Sequence, residues 1–209
     1  MGHLYFMKAL VLSLLCSFLT GSLLDVSNAV AGAPTDMVKS TVDRVIKILT
    51  DPKYKGEANK EARRKVLREA ILPRFDFPEM AKRALGAEWG RRTPAEQKEF
   101  VNVFTAFMEK ASIQNIESYD NERFIYSGEK TSDSQAEVEG KILNGRGEET
   151  KIVYLLHRVG GEWRAYDLVV AGISLVSNYR SQFSRLIRQS SYEGLLRVMR
   201  EKLEYRKGP

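Results

Sequence analysis

Few residues of this 209-residue chain could do covalent or metal chemistry. It has one cysteine, Cys16, and two histidines, His3 and His157. Cys16 and His3 fall in an N-terminal stretch with the character of a leader, which leaves His157 as the sole imidazole of the mature chain and no thiol. A transition-metal site would then need carboxylates at ligand spacing, and none are grouped that way, so no metal and no cofactor are expected. There is no G-x-S-x-G elbow, no P-loop and no G-x-G-x-x-G; Gly145-Arg146-Gly147 sits in a turn rather than before a helix. The carboxylate in the most apolar company is Asp167, between Tyr166 and Leu168-Val169-Val170. Desolvation raises a carboxyl pKa, so Asp167 with Tyr166 could serve as acid and base. The other use for such a group is to accept backbone N–H bonds at the joint ahead of the next helix, and the residues favour that use. His157, alone in a strand, reads as structural. The chain is expected not to be an enzyme.

The elements that would position these residues begin after the leader. Lys8, the apolar run Ala9 to Leu24 and then Ala29-Val30-Ala31 follow the order of a secretory signal. Residues 1–31 are expected to be removed near Ala31, with Met7 an equally good start, and 32–209 to form the mature domain. The run is short of the ~20 apolar residues of a spanning helix, and Ser13-Leu14-Leu15 before Cys16 is no convincing lipobox, so a retained anchor and a lipoprotein are the lesser readings. The leader carries one lysine (Lys8) and one aspartate (Asp25), so the formal charge of +6 survives its loss. Export argues against nucleic acid as the partner of a basic chain and favours anionic head groups or an acidic protein surface.

Apolar spacing predicts helices from Thr35 to Asp51, from Ala58 to Leu72 and from Phe77-Pro78 to Leu85. The second should bury Ala62, Val66, Ala70 and Ile71 and show Arg63, Arg64 and Arg68 to water. Thr93-Pro94-Ala95-Glu96 is a capping box that opens a long helix with Phe100, Phe104, Phe107, Met108 and Ala111 on one stripe. Past Tyr119 the period becomes alternating. Four strands follow, at Arg123–Ser127, Gln135–Leu143, Glu149–Arg158 and Glu162–Val170, with hairpin signals at Asn144-Gly145-Arg146-Gly147 and Gly160-Gly161. Two striped helices close the chain, ahead of a basic tail after Glu204. The third and fourth strands are apolar on both faces, whereas a sheet wetted on one side alternates. The fold class is therefore α+β, a curved antiparallel sheet (about 122–171) between a helical part (about 32–119) and closing helices (174–205), with an apolar interior. Phe104, Phe107, Met108, Val138, Ile142, Ile152, Tyr154, Val169, Ile173, Val176, Phe183 and Ile187 are expected to surround one apolar pocket. On the residues alone, a ligand carrier, an isomerase- or hydratase-like enzyme and an adaptor with a solid core all remain open.

Two sets of residues narrow the choice. Trp163-Arg164-Ala165-Tyr166-Asp167, Gly172-Ile173-Ser174-Leu175-Val176, Asn178-Tyr179-Arg180 and Phe183 form one. Phe75-Asp76-Phe77, Met80-Ala81, Leu85-Gly86, Trp89, Thr93, Gln97 and Phe100 form the other. Together they resemble the signatures of the MlaC family, periplasmic phospholipid carriers of toluene-tolerance ABC systems. Ala171 departs from the family pattern, which has an acidic residue before the Gly-x-Ser. The resemblance implies a nuclear-transport-factor-like cone, diacyl phospholipid tails in the interior and the head group at the mouth. It also implies a monomer that exchanges lipid with complexes in the inner and outer membranes. Tyr179 and Arg180, with the basic cluster Arg63, Arg64 and Arg68, are the expected head-group or partner contacts.

Overall fold

A computed structural model describes residues 33–204 of the chain. The expected leader, residues 1–31, and the basic tail after Glu204 lie outside the described residues. Six α-helices and one five-stranded sheet make up the described fold: α1 (Ala33–Thr50), α2 (Lys60–Ile71), α3 (Phe77–Leu85), α4 (Pro94–Glu117), β1 (Arg123–Thr131), β2 (Gln135–Leu143), β3 (Glu149–Val159), β4 (Glu162–Val170), β5 (Ile173–Ser174), α5 (Leu175–Gln189) and α6 (Tyr192–Glu204). The strands pair antiparallel in sequence order, β1-β2-β3-β4-β5.

Local chemistry sets the helix starts. Thr93 accepts from the Glu96 N–H while the Glu96 carboxylate accepts from the Thr93 N–H, so the capping box is complete and α4 opens with its orphan donors satisfied. The Thr93 N–H first, and the Thr93 hydroxyl second, donate to the Glu96 carboxylate and hold it below its ordinary range. Asp76 caps α3 by accepting from the Glu79 N–H, and its own N–H donates to the Ala165 carbonyl. The α1 N-terminus is met by a carboxylate, Thr35 N–H donating to Glu129 of β1 at 2.9 Å. That contact places a negative charge where the helix dipole favours one.

Apolar burial falls into three clusters. The largest lies among the helices, with Phe100, Phe104 and Met108 of α4 against Met80 and Leu85 of α3, Val176 and Phe183 of α5 and Leu195 and Met199 of α6. A second lies between α1 and the sheet, Val38 against Ala136, Val138, Leu156, Trp163 and Ala165. The third joins α1, α2 and α4 through Ile48, Leu67, Ala70, Ile71 and Ile113. In α2 the buried face is therefore Leu67, Ala70 and Ile71, with Val66 half-buried and Ala62 exposed, because the packed stripe is rotated by about one position from the expected one.

Two irregularities bend the sheet. The β1–β2 register shifts between Tyr126 and Gly128, and the β3–β4 register shifts between Leu155 and Leu156, where Tyr166 is left without a direct partner. Such bulges add twist and curl a strand. At the first, Gly140 lies under β1 so closely that a Cβ would stand 2.7 Å from the Ile125 carbonyl oxygen. The joint between β4 and α5, which reads as a plain connection, is a hairpin instead. Ala171 (φ 50) and Gly172 (φ 80) both have positive φ, and β5 turns back on β4 with Val170 opposite Ile173 and Val169 opposite Ser174. A two-residue turn with both φ positive favours Asn or Asp followed by Gly, and a left-handed conformation is costly for alanine.

Ala171→Asn should accordingly stabilise the protein by about 0.5–1 kcal/mol, seen as a higher Tm, because asparagine tolerates the left-handed region that alanine does not. Gly140→Ala should lower Tm, since backbone and not a flexible side chain blocks the added methyl. An unchanged Tm for both would mean that neither backbone constraint is present in solution.

Candidate functional site

Strand register decides which side chains share a face. Across the sheet, Val138, Tyr154 and Leu168 stand in one row. Gly140, Ile152, Val170 and Ile173 stand in the next, and Phe124, Ile142 and Thr150 in a third. Directly opposed residues project to the same side. This face also carries Ala136, Leu156, Trp163 and Ala165, and α1 covers that end. Beyond α1's cluster the same apolar surface continues through half-buried Phe124, Ile142 and Leu168 and buried Ile152 to Val170, 39% exposed, and Ile173, 63% exposed. At β4 the helices α3 and α5 cover the opposite face, and over β1, β2 and the start of β3 that face is wet. There Lys130, Lys141 and Lys151 pair with Glu137, Glu139 and Glu149 in a ladder across three strands.

Of the twelve residues expected to line one pocket, Val138, Ile142, Ile152 and Tyr154 share this inner face, and Ile173 lies on it at the exposed edge. Val169 does not. It pairs with Val153 on the other side, because the bulge at Tyr166 reverses the alternation that runs from Trp163 through Ala165. Leu168 and Val170 take the inward positions instead. Phe104, Met108, Val176 and Phe183 are buried in the helical cluster, with Phe107, Tyr179 and Ile187 packed against it. Tyr179 stacks on Phe183 and meets Phe104 and Phe107 edge-on. Burial raises the Tyr179 hydroxyl above its ordinary range. The structure thus divides the other eleven between the sheet face and the helical cluster. Surface clefts lie elsewhere. One of 370 Å³ runs between α4 and α6 beside Phe107, Ala111 and Val198, and another of 550 Å³ lies along α1 beside Ile48 and Tyr54.

Polar atoms on the inner face are few. The Tyr126 hydroxyl, in Gly140's row, is buried without a hydrogen-bond partner among the described residues. Its pKa is pushed up to about 12 by burial, with the charge of Asp43 adding to it. Tyr154 is raised further, again by burial first and by Tyr126 second. Neither tyrosine ionises near neutral pH, so beyond Glu129, whose carboxylate is taken up at the start of α1, these rows add no charge to the face.

Asp167 is a structural acceptor. It is buried, and its Oδ1 accepts from the N–H groups of Leu168 (2.8 Å) and Val176 (3.0 Å) while its Oδ2 accepts from the Ser174 hydroxyl. Ser174 in turn caps α5 by accepting from the Ser177 N–H. Tyr166 is held between the Arg83 guanidinium, 4.3 Å from its ring centre, and the edge of His157, whose Nε2 lies 2.8 Å from Asp76. These groups fasten α3 and α5 to the sheet. Among the described residues no group of histidine, cysteine, aspartate and glutamate could hold a metal ion.

The basic cluster of α2 is engaged within the fold. Arg63 and Arg64 both donate to Glu117 at the end of α4, and Arg63 also donates to the Tyr54 carbonyl. Arg68 pairs with Glu109. Arg63 and Arg64 are mostly buried, so they do not offer the open basic surface that a helix-face reading suggests. Arg180 is exposed on α5, its stem lying against Gly86.

A curved antiparallel sheet with an apolar inner face, wrapped by helices, is a nuclear-transport-factor-like cone. Known proteins give the family. A model of the MlaC protein family matches residues 39–201, and the chain belongs to that family. The toluene tolerance protein ttg2D of Pseudomonas putida is 25% identical over 156 residues, covering 74% of this chain and 73% of that protein. The intermembrane phospholipid transport system binding protein MlaC of Haemophilus influenzae is 25% identical over 161 residues, covering 74% and 71%. A phospholipid-binding protein from Ralstonia solanacearum, solved in complex with a phospholipid, shares the fold with a TM-score of 0.72 at 23% identity, covering 83% of this chain and 98% of that one.

The α2–α4 clamp has a pH signature. Burial alone would raise the Glu117 carboxyl, but hydrogen bonds and charge from Arg64 and Arg63 outweigh it and hold the group below the usual carboxylate range. A depressed folded-state pKa contributes stability above the unfolded value, about 4.3 for glutamate, that is lost as pH falls through the folded one. Glu117→Gln should cost about 1–3 kcal/mol at neutral pH and flatten the fall in stability below about pH 4.3. A variant as stable as the parent at pH 7, with the same acid limb, would show that the clamp contributes nothing.

Proposed function

We propose that this protein is a non-catalytic periplasmic carrier of diacyl phospholipid that exchanges lipid with complexes of the inner and outer membranes. The observation that carries this reading is the apolar inner sheet face beyond α1's cluster, where half-buried Phe124, Ile142 and Leu168 surround buried Ile152 and lead to exposed Val170 and Ile173. An apolar surface of that extent in a water-filled compartment calls for a covering ligand. Membership in the MlaC family, and the phospholipid in the Ralstonia solanacearum protein that shares the fold, support acyl chains as that cover. Tyr126 offers a hydroxyl to an ester or phosphate oxygen on the same face.

The energetics suit exchange rather than capture. Burying roughly 30 methylenes is worth on the order of 24 kcal/mol relative to water, at about 0.8 each. A bilayer gives the tails the same benefit, so transfer into the protein is near-neutral, and free diffusion of the lipid through water is prohibitive. The polar work of holding α3 and α5 to the sheet already occupies Asp167 and Tyr166, in keeping with a carrier rather than an acid–base catalyst.

Protein purified without detergent should carry phospholipid detectable by native mass spectrometry, and delipidation should lower Tm. A ligand at a hundred times its Kd stabilises by about 2.7 kcal/mol, or roughly 5–10 °C in a domain of this size. Ile142→Asp should lower lipid occupancy far more than it lowers the stability of the lipid-free protein. Leu195→Ala, deep in the helical cluster, should do the reverse and cost about 2–5 kcal/mol. Lipid-free protein from cells, with a Tm unaffected by added phospholipid, would rule the carrier reading out.

A further inference from the structure

The arginines of α2, α3 and α6 all have carboxylate partners: Arg63, Arg64 and Arg68 with Glu117 and Glu109, Arg83 with Glu79, Arg197 with Glu201, and Arg200 with Glu99. Those of α5 do not. The helix reads LVSNYRSQFSRLIRQ and has no acidic residue, and among the described residues no carboxylate pairs with Arg180, Arg185 or Arg188. At helical spacing Arg185 stands near the centre, and Arg188 toward one side, of an exposed face made otherwise of Ser177, Asn178, Ser181, Gln182 and Gln189. That face begins where the β4–β5 turn ends, and the turn presents Ile173, 63% exposed, and Val170, 39% exposed.

We propose that α5 and the β4–β5 tip form a docking surface for a bilayer of anionic phospholipid, with the tip entering the head-group region and Arg185 and Arg188 meeting lipid phosphates. Guanidinium groups suit phosphate oxygens geometrically, and an acid-free face gives them no competitor within the protein. The arrangement also favours a membrane over an acidic protein. A protein interface places its apolar residues at the centre with a polar rim, whereas here the apolar residues lie at one end and the remaining surface is polar throughout. A short apolar wedge beside a cationic strip is how proteins lie on an anionic bilayer. The docked tip would bring the exposed edge of the inner sheet face, Val170 and Ile173, to the surface from which a lipid could enter. Arg185 and Arg188 lie on α5, outside the inner face, so their part in docking does not depend on whether the interior holds lipid, whereas Val170 and Ile173 belong to both surfaces.

The test is co-sedimentation of the mature protein with phosphatidylcholine vesicles, with and without phosphatidylglycerol, while native mass spectrometry on the same samples reads lipid occupancy separately. Wild type should bind the anionic vesicles and not the neutral ones, with affinity falling as salt rises. Arg185→Gln with Arg188→Gln should weaken that binding roughly thirtyfold, at about fivefold per cation near an anionic surface, with Tm and occupancy unchanged. Lys55→Gln with Lys65→Gln, which removes the same charge from exposed positions elsewhere, should bind nearly as wild type does. Ile173→Ser should weaken binding while leaving its salt dependence in place. Equal losses in the two double variants would reduce the effect to net charge and overturn the proposal. Wild type that ignores both kinds of vesicle would overturn it too, and would leave the face to an acidic protein.

Discussion

Much of the architecture depends on one carboxylate. Asp167 stands just past the Tyr166 bulge and takes hydrogen bonds from Leu168, Ser174 and Val176. The bulge reverses the facing of β4, so that Leu168 and Val170 continue the apolar surface begun by Val138, Ile142 and Ile152. The carboxylate then fixes the tight return through Ala171 and Gly172 and the start of α5. A buried carboxylate is expensive unless its acceptors are filled. Here backbone and hydroxyl donors fill them, and the cost of burial becomes a constraint on geometry. Without that anchor neither the direction of α5 nor the edge of the inner face would be defined.

The remaining stability is divided between helices and sheet in a way that leaves part of the sheet uncovered. The helical cluster is dense with aromatic contacts, Phe100, Phe104, Tyr179 and Phe183 meeting edge-on or stacked. It can hold α3 to α6 together by itself. The Arg63 and Arg64 clamp on Glu117 ties α2 to α4, and α1 closes one end of the sheet with Val38. None of these contacts requires the surface around Ile142, Leu168 and Val170 to be sealed. A carrier needs that separation, because a pocket that supplied the fold's own core could not be emptied without unfolding.

Helices were legible wherever apolar spacing was joined to a cap, as at Asp76 and Thr93, and the four long strands were legible from alternation and turn residues. The fifth strand was not, since two residues carry no period, and the positive φ at Ala171 is hidden behind a residue that does not advertise it. The inner face was legible as far as the bulge. Val138, Ile142, Ile152 and Tyr154 follow simple alternation, whereas Val169 is misplaced by it, because an extra residue changes parity without leaving a mark in composition. Phe124 was within reach of the same alternation in β1. Arg63 and Arg64 of α2 misled for a different reason: their partner, Glu117, lies more than fifty residues away in the chain, and only the fold brings it close. What could have been seen is that the helix from Leu175 to Gln189 contains arginines and no acid at all.

The central claim is that acyl chains lie on the inner sheet face and not within the helical cluster. A phospholipid bearing a nitroxide on its acyl chain, loaded into methyl-labelled protein, reads the location directly through paramagnetic broadening. The account predicts strong broadening of the methyls of Ile142, Ile152, Leu168 and Val170, with Leu195 and Met199 little affected. Broadening confined to Val198 and Ala111, at the cleft between α4 and α6, would contradict it.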